Sequence, residues 1–193
     1  VSYACDDVSG TTTISSDCSS AFSITGSNAD ITLSATASSS SMRLTNSGTN
    51  SSLTITSSGS LISTNGGIVI DGTVSGKSFD LISNAGTISA TYFTIRNQKT
   101  ITTLTNTGTI TATEGNAAVL NQSSANITTF TNSGTISAPS GSGINNTATI
   151  TTLTNTGTIT SSGTDISNFA GTMVTLNNSQ GKNGDDPLRL ERF

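Results

Sequence analysis

The chain has 193 residues, of which 32% are apolar and 9% charged, with a formal net charge of −4 and no histidine. Seven Lys and Arg spread over that length cannot form the basic footprint that a nucleic-acid binder needs, and without histidine there is no Ser-His or Cys-His nucleophile pair and no His-containing metal site. No apolar run approaches the roughly 20 residues that cross a bilayer as a helix, and no charged segment followed by an apolar one opens the chain at Val1, so it reads as a mature or trimmed product.

Residues 1–30 carry two short alternating stretches, Thr11-Thr-Thr-Ile14 and Ala21-Phe-Ser-Ile24, which read as strands. Cys5 and Cys18 stand in this segment with 12 residues between them and are read as a disulfide closing a small loop, the alternative being two reduced, buried thiols. A loop of that size stabilises by about 3 kcal/mol on the chain-entropy model and places the protein in an oxidising compartment, the periplasm or the cell exterior. We expect this segment to be a disulfide-stapled N-terminal cap, because the first coil of a stacked-repeat fold otherwise leaves a sheet edge open.

From Asp30 the apolar residues come in period-two groups: Ile31-Thr-Leu33, Met42-Arg-Leu44, Leu53-Thr-Ile55, Leu61-Ile62, Ile68-Val-Ile70 and Phe79-Asp-Leu81. Each predicts a short strand bounded by Gly, Ser or Asn, and helical spacing occurs nowhere. Beyond Leu81 the chain repeats one phrase. It stands as Leu-Ile-Ser-Asn-Ala-Gly-Thr-Ile at 81–88, Ile-Thr-Thr-Leu-Thr-Asn-Thr-Gly-Thr-Ile at 101–110 and 150–159, and Ile-Thr-Thr-Phe-Thr-Asn-Ser-Gly-Thr-Ile at 127–136. Weaker copies stand at 44–49 and 174–178. The anchors Leu81, Leu104, Phe130, Leu153 and Leu176 are 23, 26, 23 and 23 residues apart, a period that predicts an all-β solenoid of about 23 residues per coil over 31–180.

Three strands and three corners fit one coil. Stretches 113–117, 139–143 and 161–164 are the variable corners, and third strands are expected around residues 92–97, 118–121, 143–146 and 166–168. Leu81, Leu104, Phe130, Leu153 and Leu176 should form one core stack, and Ile88, Ile110, Ile136 and Ile159 another, with coils about 4.8 Å apart. Asn84, Asn106, Asn132 and Asn155 should form a ladder at one corner, their amides bonding coil to coil. Gly86, Gly108, Gly134 and Gly157 follow two residues later, where a sharp corner needs positive φ or close backbone approach. Residues 181–193 are a tail or a closing strand.

Candidate chemistry is sparse, and no cofactor or metal is implied. Glycosidase-type catalysis requires two acids across a cleft; Asp71 and Asp80 with Lys77 and Arg96 form the one cluster that neighbouring coils could assemble, against the reading of a solvated patch. Gly72-Thr-Val-Ser-Gly-Lys-Ser78 is one residue short of a phosphate loop. The nonapeptide of calcium-loaded β-rolls is absent. Sequons at Asn50, Asn121, Asn126, Asn145 and Asn177 are expected by chance in this composition. Thr102-Thr103, Thr128-Thr129 and Thr151-Thr152 recur in file, whereas an ice-binding face needs a regular Thr-x-Thr file.

The phrase Leu-Thr-Asn-Thr-Gly-Thr-Ile, recurring at 23-residue spacing behind a short cysteine loop, resembles the passenger domains of bacterial autotransporters, the type V secreted proteins, and among them the group that includes vacuolating-toxin-like proteins. The resemblance covers roughly residues 30–180. It implies a right-handed parallel β-helix exported through an outer-membrane β-barrel and displayed or released at the surface of a Gram-negative bacterium. It further implies a non-enzymatic adhesin, aggregation factor or stalk, whose partners are host or bacterial surface glycans and proteins or other copies of itself. The alternative from a different class is a carbohydrate-active β-helix enzyme using Asp71, Asp80 and Lys77.

Overall fold

The computed structural model describes residues 5–42, 45–65, 78–179 and 190–191. Among them there is no helix, and every sheet is parallel. The chain is a β-solenoid of about seven turns and about 23 residues per coil.

Three short strands make each regular coil, and equivalent strands of successive coils pair. The first sheet has eight strands, Thr11–Ile14, Asp30–Leu33, Ser51–Ile55, Ser78–Asn84, Thr100–Asn106, Asn126–Asn132, Thr149–Asn155 and Thr172–Asn178, stacked in chain order. The second sheet runs from Thr36–Ser39 through Ser60–Ser63, Thr87–Ala90, Thr109–Ala112 and Thr135–Ala138 to Thr158–Ser161. The third contains Phe93–Asn97, Ala117–Asn121, Ser142–Asn146, Ile166–Ser167 and Leu190–Glu191, and nearer the N-terminus Ser23–Ile24 pairs with Thr45–Asn46. At the parallel-strand spacing, the eight strands of the first sheet extend about 34 Å along the axis.

The period-two pattern explains the thin core. In Thr109–Ala112, Thr135–Ala138 and their neighbours every second side chain is buried, so a coil contributes one file of apolar residues per strand face. Leu104, Phe130 and Leu153 stack in register, as do Ile88, Ile110, Ile136 and Ile159, and all seven are buried. Leu176 sits above Leu153 and is only partly buried. Full burial of each such side chain stabilises by about 2 kcal/mol relative to exposure, so apolar stacking over successive coils compensates for the polar composition.

Leu81 is not part of this stack. It pairs with Thr103, on the outward face, and the residue beneath Leu104 is the fully buried Ile82. The reason is parity. Leu104 precedes Asn106 by two residues, whereas Leu81 precedes Asn84 by three, and a strand turns alternate residues to opposite faces. The weak copy at 44–49 also departs from the expected alignment. Thr45–Asn46 pairs with Ser23–Ile24, while the first-sheet strand of that region is Ser51–Ile55.

Residues 5–24 already make coil contacts. Val8 bridges Ile24, Cys18 bridges Ala37, and Thr11–Ile14 begins the first sheet. Cys5 and Cys18 form the disulfide, with Cα atoms 5.0 Å apart. Two acids help seat this first coil, since the Asp7 and Asp17 carboxylates accept the backbone N–H of Ser23 and Thr36 at 2.7 and 2.8 Å.

Candidate binding surface

The corners that follow the four first-sheet strands from Ser78–Asn84 to Thr149–Asn155 are built by Asn-x-Gly. Asn84, Asn106, Asn132 and Asn155 are fully buried, and each Nδ2 donates to the Oδ1 of the asparagine one coil further on: Asn84 to Asn106 at 2.8 Å, Asn106 to Asn132, Asn132 to Asn155 and Asn155 to Asn178 at 2.7 Å. The same amides reach the backbone oxygens of Thr109, Thr135 and Thr158 at 3.1, 3.2 and 3.4 Å. This file begins where an apolar one ends, because Asn84 lies directly above Ile55 and Ile55 above Leu33. Asn84 Oδ1 is consequently a buried acceptor without a donor among the described residues.

Of the two reasons for corner glycine, close approach is the operative one. Gly108 and Gly134 do not have positive φ, but a Cβ on either would strike the carbonyl oxygen of the glycine one coil below, Gly86 or Gly108. Gly86 and Gly157 meet Gly59 and Gly134 in the same way. Those carbonyls are in use, accepting the N–H of Thr109 and Thr135 at 2.9 and 2.8 Å, so they cannot retreat.

A second ladder, not anticipated from the repeat phrase, closes the third-sheet corner. Asn97 donates to Asn121 at 2.9 Å, Asn121 to Asn146 at 2.8 Å and Asn146 to Asn168 at 2.7 Å. Its lowest acceptor is satisfied, since the Lys99 N–H donates to Asn97 Oδ1 at 3.2 Å. The signal was present in the sequence as an asparagine closing each third-strand stretch. It also removes one sequon from consideration, because Asn121 is fully buried and hydrogen-bonded at its amide.

Inward rows fill the interior, so function falls to the outward ones. On the first sheet the strands present two outward residues in i, i+2 relation: Thr103 and Thr105, Thr129 and Thr131, Thr152 and Thr154, then Thr175 and Asn177, each pair in register with the next. Towards the N-terminus the same two files continue through Leu81 and Ser83, Ser52 and Thr54, Asp30 and Thr32, and Thr11 and Thr13. Thr102, Thr128 and Thr151 form an additional short file beside them, in which Val174 is 67% exposed. The outward row of the third sheet is mixed, running Arg96, Leu120 and Asn145, with the buried Ser167 next in register.

The acidic cluster is only partly visible. Asp71 and Lys77 lie outside the described residues. Asp80 is exposed on the first sheet, and Arg96 lies on the third, its Nε donating to Gln122 Oε1 at 2.7 Å. No group of three or more potential metal ligands occurs among the described residues. Protein-family models, curated proteins and solved structures yield no match to this chain.

Proposed function

We propose that the chain is a structural and adhesive solenoid, exported through an outer-membrane barrel and displayed on or released from the surface of a Gram-negative bacterium. It attaches the cell to surface glycans or proteins, or to other copies of the same protein. The supporting observation is the register of the outward rows. A stack about 34 Å tall holds the same hydrogen-bonding groups at the same place in coil after coil, which suits repetitive, uncharged partners engaged through many weak contacts. The disulfide agrees with an oxidising exterior.

The reading is tested by displaying the chain on a bacterium that does not otherwise aggregate and measuring sedimentation and binding to a glycan panel. Aggregation or retention that disappears when the passenger is removed supports it. A purified chain that turns over a polysaccharide and loses that turnover in Asp71→Asn or Asp80→Asn would replace it with the carbohydrate-active alternative.

A further inference from the structure

We propose that the edge of the third sheet holds a carboxylate-bearing glycan, an oligosaccharide with an acidic sugar among neutral ones. This rests on the attachment reading and names the ligand class and the residues that select it. The outward files of the first and second sheets are alike. They carry Thr or Ser at thirteen of sixteen and eleven of twelve in-register positions, and the one charge among them is Asp30. Such faces offer uniform, weak contacts to neutral sugars, so chemistry that tells one partner from another is left to the third sheet.

Each asparagine of the second ladder is turned inward, which turns its neighbours in the chain outward. Arg96 and Gln98 flank Asn97, Gln122 follows Asn121, and Phe169, 61% exposed, follows Asn168. Gln122 Oε1 accepts from Arg96 Nε at 2.7 Å and from Gln98 Nε2 at 3.0 Å, so side chains of two coils are joined in one polar plate. Both cations among the described residues, Arg96 and Lys99, stand at this edge, in a chain whose net charge is −4. Asp80 lies round the corner on the first sheet, and Glu191, the acid in register with the Arg96 row, is four strands away, about 19 Å. The local charge therefore suits an anion. A guanidinium anchored through Nε is held in one plane, and its planar fork matches a carboxylate. A polysulfate would engage many cations at once, and seven Lys and Arg in the whole chain do not supply them. Phe169 is three coils from Arg96, about 14 Å along the axis, and its exposed ring is a flat apolar platform for the C–H face of a sugar. The ladder fixes the backbone beneath this strip, so little ordering opposes binding.

The test titrates the full chain, its disulfide formed, with two acidic trisaccharides, sialyllactose and trigalacturonate, each beside the same sugar with its carboxyls reduced to alcohols. Binding is followed by nuclear magnetic resonance. The native chain should bind at least one acidic sugar, and which one it prefers identifies the acid. Carboxyl reduction should weaken that binding by about tenfold or more, the worth of a charge-assisted contact. Arg96→Gln should show the same loss, and Arg96→Lys, which keeps the charge without the planar fork, should fall between. Phe169→Ala should weaken the acidic and reduced sugars alike, whereas Thr129→Val and Thr135→Val, on the other two sheets, should change neither. Far-ultraviolet spectra and melting temperatures check that each variant is folded, and the reduced sugars carry the test on the native chain alone. No binding of either acidic sugar, equal affinity for acidic and reduced forms, or full affinity in folded Arg96→Gln overturns this inference. The attachment reading stands through all three, provided that cells displaying the chain still aggregate or are retained on other glycans; it falls only if they do neither.

Discussion

The first asparagine ladder makes a positional prediction that simple loss of contacts does not. Its bonds run one way, each Nδ2 donating towards the C-terminal coil, so the number of unsatisfied acceptors depends on where the file is cut. In Asn106→Ala, Asn132 Oδ1 loses the donor 2.7 Å away and stays fully buried, and the acceptor already unpaired at Asn84 remains. The cut therefore adds one buried orphan. In Asn84→Ala, the unpaired Oδ1 disappears with its side chain while Asn106 Oδ1 loses its 2.8 Å partner, so the number of orphans is unchanged. Both substitutions remove the same atoms from fully buried corners. Asn106→Ala also takes one acceptor from the Asn84 amide, which keeps the Thr109 oxygen at 3.1 Å, so the difference between the two is one stranded acceptor plus one ladder bond, about 1–3 kcal/mol. At a urea dependence of about 2 kcal/mol per molar, Asn106→Ala should lower the unfolding midpoint by about 1 M more than Asn84→Ala, with similar slopes. An equal or larger loss in Asn84→Ala would refute the reasoning and mean that the ladder acts through packing alone.

Three further substitutions bear on the fold. Ile82→Ala should cost about 2–5 kcal/mol as a truncated core side chain, whereas Leu81→Ala, on the outward face, should cost well under half of that, and urea midpoints would show the order. Gly134→Ala should destabilise by about 3 kcal/mol or more, read in the same assay, because its methyl meets the Gly108 carbonyl, which is backbone and already hydrogen-bonded. Paired Cys5→Ser and Cys18→Ser should cost about 3 kcal/mol, with hydrogen exchange speeding first at Val8 and Thr11–Ile14 and last at the coils around Phe130.

The coil period, the absence of helix and the two ladder-forming features of the repeat were legible because a solenoid is nearly one-dimensional, with each coil repeating the local constraints of the last. Asn106 and Gly108 recur because the same corner recurs. Which face a residue takes was less legible where the phrase is imperfect. In Leu81-Ile82-Ser83-Asn84 two apolar residues are adjacent, and only counting back from Asn84 selects Ile82 for the interior. The segment at 44–49 misled for a related reason, since Asn-x-Gly also serves the corner after the separate pair of Ser23–Ile24 and Thr45–Asn46, where Asn46 Oδ1 accepts the Gly48 N–H at 2.9 Å. The Thr files were hidden by the adjacent outward pair Thr102 and Thr103, which interrupts strict alternation between the buried Ile101 and Leu104.

The two ends of the described stack solve the edge problem differently. At the N-terminal end, Val8, Cys18 and Phe22 are buried, the disulfide joins Cys5 to Cys18, and carboxylates of Asp7 and Asp17 occupy backbone donors that reach across to the next coil's chain. At the other end, Met173 and Leu176 are only partly buried, Val174 is exposed, and Asn178 receives the last ladder bond on an exposed side chain. Ladder polarity fits this difference. The file finishes on the exposed Asn178, while its buried start leaves an acceptor without a donor at Asn84. Stability in such a stack is close to a sum of coil terms and coil-to-coil interfaces, so a coil with one neighbour must recover the missing interface by other means. The first coil does so covalently and with capping acids. The strand Thr172–Asn178 keeps apolar side chains and a ladder residue in register with the coil below, and in the third sheet Leu190–Glu191 carries the stack on over Ile166–Ser167.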